Sequence, residues 1–178
     1  MRKITFIFIV LIAQVSGSSE LENQAIQAYE SGDTTTAIKL FKEMSRSGNG
    51  ESSYHVGTFY WEGRGVQRNV LQAEKYLRIS CQQGYKEGCF EIGNLYQNSK
   101  EYGGDFPRAL RFYEKGCKLR GMRSCNAAGV LYNEGGGGVV ANKRKASRRF
   151  QIAVDEGSRI AKENLKSLCI ETPGACRK

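Results

Sequence analysis

Six cysteines and a single histidine are the residues of this chain best equipped for metal or redox chemistry. Cys81 and Cys89 stand eight positions apart in SCQQGYKEGC, residues 80–89, and Cys117 and Cys125 repeat that interval in GCKLRGMRSC, residues 116–125. Cys169 and Cys176 close the set in LCIETPGAC, residues 168–176. Such cysteines can hold a metal, cycle as a redox couple, or be oxidised into structural bridges. A zinc site would need four thiolates here, because His55 is alone, and no Cys-x-x-Cys pair exists to start one. A thioredoxin-type redox site fails for the same reason. No metal and no cofactor are expected, and an even cysteine count in an exported chain reads as disulfides.

The N-terminus supplies the export. Arg2 and Lys3 precede ten mostly apolar residues, Ile4 to Ala13, and Val15 and Gly17 suit the −3 and −1 positions of a cleavage site. Ten residues are too few to span a bilayer. Residues 1–17 are therefore expected to be a signal peptide cleaved near Gly17. The product is expected to be secreted or periplasmic, a monomer with no transmembrane segment. Residues 18–178 are enough for one domain with a real core. Loss of Arg2 and Lys3 takes the formal net charge from +9 to about +7.

Behind these residues stands a repeat. Gly48, Gly84, Gly121 and Gly157 are spaced 36, 37 and 36; Gly57, Gly93 and Gly129 are spaced 36 and 36, as are Tyr60, Tyr96 and Tyr132. Ala37, Ala73, Ala109 and Ala146 are spaced 36, 36 and 37. Each unit reads as two helices, a short first one such as SSYHVGTFYWEG and an amphipathic second one such as VLQAEKYLRISC or PRALRFYEKGC, joined by a glycine-rich loop. Asp33 or Thr34 caps the second helix of the first unit, and Pro107 sits where a first turn tolerates proline. The glycine and alanine columns let helices approach closely, and the tyrosines fill the seams. Units are expected at about 18–48, 49–84, 85–121 and 122–157, with a capping segment over 158–178, in an all-α, right-handed α/α solenoid.

VGTFYWEGRGVQRNVLQAEKYLRISCQQG, residues 56–84, resembles the Sel1-like repeat, a relative of the tetratricopeptide repeat, through Gly57, Tyr60, Gly63, Gly65, Val66, Ala73 and Tyr76. The cysteine pair eight apart narrows the resemblance to the secreted Helicobacter cysteine-rich proteins, the Hcp-like beta-lactamase family. Later units depart in their loops, NSKEYGGDFP and NEGGGGVVANK. The resemblance implies binding or slow hydrolysis of a beta-lactam. The residues supply no independent sign of it. Ser-x-x-Lys is absent, and His55 stands among packing residues. No Gly-x-x-x-x-Gly-Lys phosphate loop occurs, and Gly135 to Gly138 read as a flexible loop.

The cysteines fall at the joints between units. Antiparallel helices bring Cys81 beside Cys89 and Cys117 beside Cys125. Ser45 and Ser53 keep the same offsets at the first joint, and Ala153 and Ala161 at the fourth. Cys169 and Cys176, around the turn Thr172-Pro173-Gly174, form a C-terminal clasp.

Stacked helix pairs present a concave face lined by the first helices. Positions neighbouring the glycine column give Tyr54, Thr58 and Trp61, then Phe90, Asn94, Gln97 and Asn98, then Asn126, Val130, Asn133 and Glu134. Amides can hold an extended peptide or glycan, and aromatics add flat contact area. The expected function is binding of a peptide, protein or cell-wall fragment in this groove, with a beta-lactam as the alternative ligand. Lys143, Arg144, Lys145, Arg148 and Arg149 form a basic patch suited to an anionic polymer, lipid or glycan rather than, in an exported protein, to nucleic acid.

Overall fold

The computed structural model describes residues 20–176; the expected signal peptide lies outside the described residues. A helix runs over 20–30 (α1). It is followed by α2 (Thr34–Arg46), α3 (Gly50–Glu62), α4 (Val70–Gln82), α5 (Lys86–Asn98), α6 (Phe106–Lys118), α7 (Met122–Glu134), α8 (Lys143–Asp155) and α9 (Arg159–Glu171). Single 3-10 turns lie at Lys100–Tyr102 and Pro173–Ala175. The helices α2 to α9 are all 13 residues long. Helices that short are marginal alone in water, so they persist by packing. The architecture is an all-α, right-handed solenoid of helix pairs.

Capping is local and repetitive. Asp33, Asn49, Asn69, Asp105, Asn142 and Ser158 each accept a backbone N–H of their own helix's first turn. Each such cap contributes about 1 kcal/mol. Pro107 lies in the first turn of α6, where its missing N–H costs nothing.

The glycine after Val56, Ile92 and Ala128 is where each first helix meets its own second helix. A methyl group on Gly57 would lie 2.7 Å from Leu77, on Gly93 2.5 Å from the Tyr113 ring, and on Gly129 2.5 Å from the Phe150 ring. Ala37, Ala73, Ala109 and Ala146 are fully buried. The tyrosine column does two jobs. The carbonyls of Tyr60, Tyr96 and Tyr132 accept the N–H of Asn69, Asp105 and Asn142, which closes three loops of unlike sequence in one way. Their phenols reach back to the second helix of the preceding unit. Lys42 donates to the Tyr60 hydroxyl at 2.8 Å, Arg78 to that of Tyr96 at 2.7 Å, and Tyr132 pairs with Glu114.

One column needs correction. The turn between units is the same four times, with the last residues of the second helix bonded back as in a Schellman cap. Its left-handed position is held by Gly48, Gly84, Arg120 and Gly157, not by Gly121. Gly121 is the N-cap of α7, at φ −75°. The extra residue of the series therefore sits in the α7–α8 loop rather than in the third joint. Gly121 is small for another reason: a side chain there would press within 2.9 Å of the Gly116 carbonyl. Gly135 to Gly138 form an ordered turn, not a slack one. Gly136 and Val139 exchange both backbone hydrogen bonds at 2.9 Å.

Candidate functional site

The cysteines are oxidised. Cys81 is joined to Cys89 and Cys117 to Cys125, each pair with Cα atoms 4.5 Å apart, and Cys169 is joined to Cys176 at 5.6 Å. The two joint bridges are buried, so these sulfurs hold helices rather than meet substrates. At the first joint the Ser45 and Ser53 hydroxyls hydrogen-bond to each other at 2.7 Å. At the fourth, counted from the left-handed Gly157, the matching positions are Val154 and Lys162. The fully buried Ala153 and Ala161 expected there instead continue the column of Gly116 and Ser124. One close helix contact is thus made at three joints with two chemistries, a hydrogen bond and a bridge. The clasp draws Ala175 onto α8, where the Ser147 hydroxyl donates to its carbonyl at 2.7 Å. Among the described residues no group of three or more His, Cys, Asp and Glu could hold a metal ion. Nor is any described helix long and apolar enough to cross a membrane.

His55 is part of the packing. Its ring stacks on Phe41 at 4.8 Å and meets Tyr54 edge-on at 5.3 Å. Burial pushes its pKa below the ordinary 6.5, against the opposing pull of the Glu51 carboxylate. The unfolded chain therefore takes up a proton below pH 6.5 before the folded one does. Stability from this residue is complete above 6.5 and is lost as pH falls from there toward the folded value. Urea midpoints measured from about pH 7 to 5 should fall, and the His55→Phe variant should show a flatter profile. An identical slope in the variant would place the titration elsewhere.

The first helices line the inside of the stack, where α3 meets α5, α5 meets α7 and α7 meets α9. A cleft of about 410 Å³ opens there across α5, α7 and the start of α9. It brings together Phe90, Asn94, Gln97, Asn98, Asn126 and Val130 of the expected groove. Tyr54 stands at its edge, close enough for its phenol to feel the charges of Glu91 and Arg123. Thr58, Trp61, Asn133 and Glu134 are not in this lining. Thr58 donates to its own helix at the His55 carbonyl. Trp61 carries the Arg68 guanidinium 4.8 Å above its ring. Asn133 accepts from Lys143 at 2.9 Å. In these two units the fourth position after the glycine is covered by a following cation, Arg68 on Trp61 and Lys143 on Asn133, whereas after Gly93 the equivalent Gln97 is left open to the cleft.

The sequence offsets missed Arg123. Its guanidinium lies 3.8 Å from the Phe90 ring centroid and pairs with Glu91 at 3.2 Å. A signal existed: Glu51, Glu87, Arg123 and Arg159 recur every 36 residues, and the sign of that column reverses in the middle. Met122, Ser158 and Ile160 also line the cleft from helix starts. Burial raises the pKa of Tyr113, and the Glu91 carboxylate adds to that, so its phenol stays a donor, to Gln97 Oε1 at 3.0 Å.

The amides are half used. Asn98 donates to Asn94, and Asn164 donates to Asn126 at 2.9 Å. Each pair leaves one NH2 and one carbonyl oxygen with spare capacity, and Gln97 keeps its NH2. The cleft therefore holds spare amide donors on Asn94, Gln97 and Asn126 and a spare acceptor on Asn98, beside one cation and the apolar faces of Phe90, Met122 and Ile160. That set can bind an extended backbone. It contains no nucleophile with a base, and its single serine, Ser158, caps α9 by accepting from the Ala161 N–H.

The basic patch is divided. Arg149 makes a two-pronged pair with Glu114 at 2.8 and 2.9 Å, and Lys143 is held by Asn133. Lys145 lies over the Tyr132 ring at 5.2 Å. Arg144 and Arg148 remain exposed beside the C-terminal clasp.

Comparison with known proteins agrees with this geometry. Sel1 repeat sequences match at residues 50–85, 86–120 and 123–158. A cytochrome c oxidase assembly factor 7 from Xenopus tropicalis is 31% identical over 54% of this chain and 42% of its own length, and factor 7A from Xenopus laevis is 29% identical over the same shares. The chain thus spans less than half the length of these relatives. Among solved structures, a Sel1 repeat protein from Oxalobacter formigenes superposes with a TM-score of 0.75 at 21% identity, covering 86% of this chain and 62% of that one. A protective antigen of uropathogenic Escherichia coli with an SLR fold gives 0.68 at 21%, over 84% and 30%. Helicobacter pylori cysteine rich protein B gives 0.60 at 25%, over 75% and 95%.

Proposed function

The chain belongs to the Sel1 repeat family, and from that premise we propose that it is an exported binding module whose concave cleft receives an extended segment of a partner protein. The observation that carries this reading is the set of spare amide donors and acceptors from α5 and α7, gathered with Arg123 in one cleft. A peptide backbone offers alternating N–H and C=O groups and is the natural complement. The relatives named as cytochrome c oxidase assembly factors support a role exerted on another protein. Three disulfides and the leader-like N-terminus support residence in an oxidising compartment.

The test is selection of a displayed library of linear peptides against the oxidised protein, with the selected peptides then titrated into variants. Asn126→Ala and Arg123→Ala should each weaken binding by about tenfold, the loss of one or two well-placed polar contacts. Peptides that bind wild type and both variants alike would sink the cleft reading. A chromogenic cephalosporin should be turned over no faster than by a heat- and thiol-denatured control; saturable turnover above that control would assign the cleft to beta-lactams instead.

A further inference from the structure

The two kinds of helix differ in charge, the excess of cations falling on the second helices. Of the second helices, α2 holds three Lys or Arg against one acid, α4 two against one, α6 four against one and α8 five against one. Of the first helices, α3 holds no cation and two acids, α5 one and two, and α7 one and one, while α9 at the end of the stack holds three cations and two acids. The excess on the second helices has a period. Two residues after each buried alanine of that column stand Lys39, Lys75, Arg111 and Arg148, basic in all four units. All four are exposed, and among the described residues none of them forms an ion pair. Their neighbours behave otherwise: Arg78, three residues after Lys75, and Arg149, next to Arg148, are tied to Glu74 and Glu114. Three clefts on this side carry members of the row. Lys39 borders one of about 320 Å³ with Lys42 and Arg46, Arg111 one of about 550 Å³ with Lys145, and Arg148 one of about 350 Å³ with Arg144.

We propose that Lys39, Lys75, Arg111 and Arg148 form a ladder of cations along the outer face, one rung per unit, that binds a linear polyanion independently of the concave cleft. Second helices of successive units touch only slightly, so neighbouring rungs lie at least as far apart as packed helices, about 10 Å, too distant to grip a single phosphate or sulfate together. That separation is near the screening length of about 8 Å at physiological salt, so each rung acts as a nearly independent contact for one charge of a chain. The second helices lie on the outside of the bend, because the first helices crowd together on the inside. A flat bilayer would meet only part of the row, whereas a flexible polymer follows all of it.

The experiment titrates the oxidised full chain with dextran sulfate, with long-chain polyphosphate, and with vesicles containing phosphatidylglycerol, at about 150 mM salt. Each rung changed to Gln should weaken polymer binding about fivefold and lower the salt slope by about one. The variant with Lys39, Lys75, Arg111 and Arg148 all changed to Gln should lose more than a hundredfold, about fivefold for each rung. A charge-matched control, with Lys86, Lys100, Lys162 and Lys166 changed to Gln, should bind nearly as the wild type does. Circular dichroism melting checks that both quadruple variants fold. The ratio of sulfate to phosphate affinity identifies the kind of polymer. Equal losses in the two quadruple variants would show net charge alone at work and overturn the ladder. So would vesicles bound in preference to both polymers, or no polymer binding by the wild type.

Discussion

Replacing Gly129 by alanine should lower stability by about 2 kcal/mol, although alanine is the better helix former by nearly 1 kcal/mol. The sign is set by space. The added methyl would sit 2.5 Å from two carbons of the Phe150 ring, and that ring is only 1% exposed and cannot swing aside. For a chain of this size the loss corresponds to a fall in Tm of about 4–8 °C. Phe150→Leu in the same chain should recover part of it, because the smaller side chain vacates the space that the methyl needs. A double-mutant cycle should give a coupling of about 1–2 kcal/mol. Gly57→Ala should cost less, since it meets the flexible Leu77 side chain in place of a ring. If Gly129→Ala were neutral or stabilising, close helix approach would not be what fixes this column.

Loss of both joint bridges should be the largest single blow to the fold. Each disulfide closes a loop of nine residues, worth about 2.5 kcal/mol in the chain-entropy account, so the two together approach 5 kcal/mol. That is comparable with the whole stability of a modest domain. The first joint provides the reference within the same molecule. Changing Cys81 and Cys89, or Cys117 and Cys125, to serine converts a bridged joint into the chemistry of Ser45 and Ser53, two hydroxyls in a buried hydrogen bond. What is lost is then the cross-link rather than the packing. Urea midpoints of the two double variants should both fall, and their combination should depart from the sum, since Gly116, next to Cys117, packs directly against Cys89. No change on removing either bridge would mean that helix packing alone holds the joints.

The repeat was legible because its columns answer to sterics, and sterics act on residue identity. Only glycine fits where Gly93 meets the Tyr113 ring, and only small residues or a bridge fit where successive units cross. The third joint was misaligned by one residue for an instructive reason. Arg120 takes the left-handed turn position that glycine holds at the other joints, at φ 60°, while Gly121 beside it is conserved in appearance only, being needed for contact with the Gly116 carbonyl. A left-handed arginine costs about 1 kcal/mol, and no local pattern announces it. The cleft was legible in its middle and not at its ends. Offsets counted from the glycine column reach Asn94 and Asn126, which project from helix centres. Arg123, Ser158 and Ile160 enter from helix starts of following units, and their approach depends on the stacking angle, which no single unit encodes. The outer cations showed as a cluster in α8, but their period emerged only once the alanines marked a common register for the second helices.

The bridges sit at the seams, and this divides the protein in an unexpected way. Sulfur joins α4 to α5 and α6 to α7, which are the junctions between units, and leaves the two helices of each unit joined only by peptide. Covalently the molecule is therefore a train whose couplings are welded and whose carriages are hinged. A protease that cuts the loop at 99–105 or at 135–142 severs the chain outright, because no bridge spans either cut. A cut between Cys81 and Cys89 or between Cys117 and Cys125 leaves one piece. Under tension the same arrangement would let each unit open at its loop while the seams stay shut, so that the protein lengthens in steps set by the units and their welded neighbours.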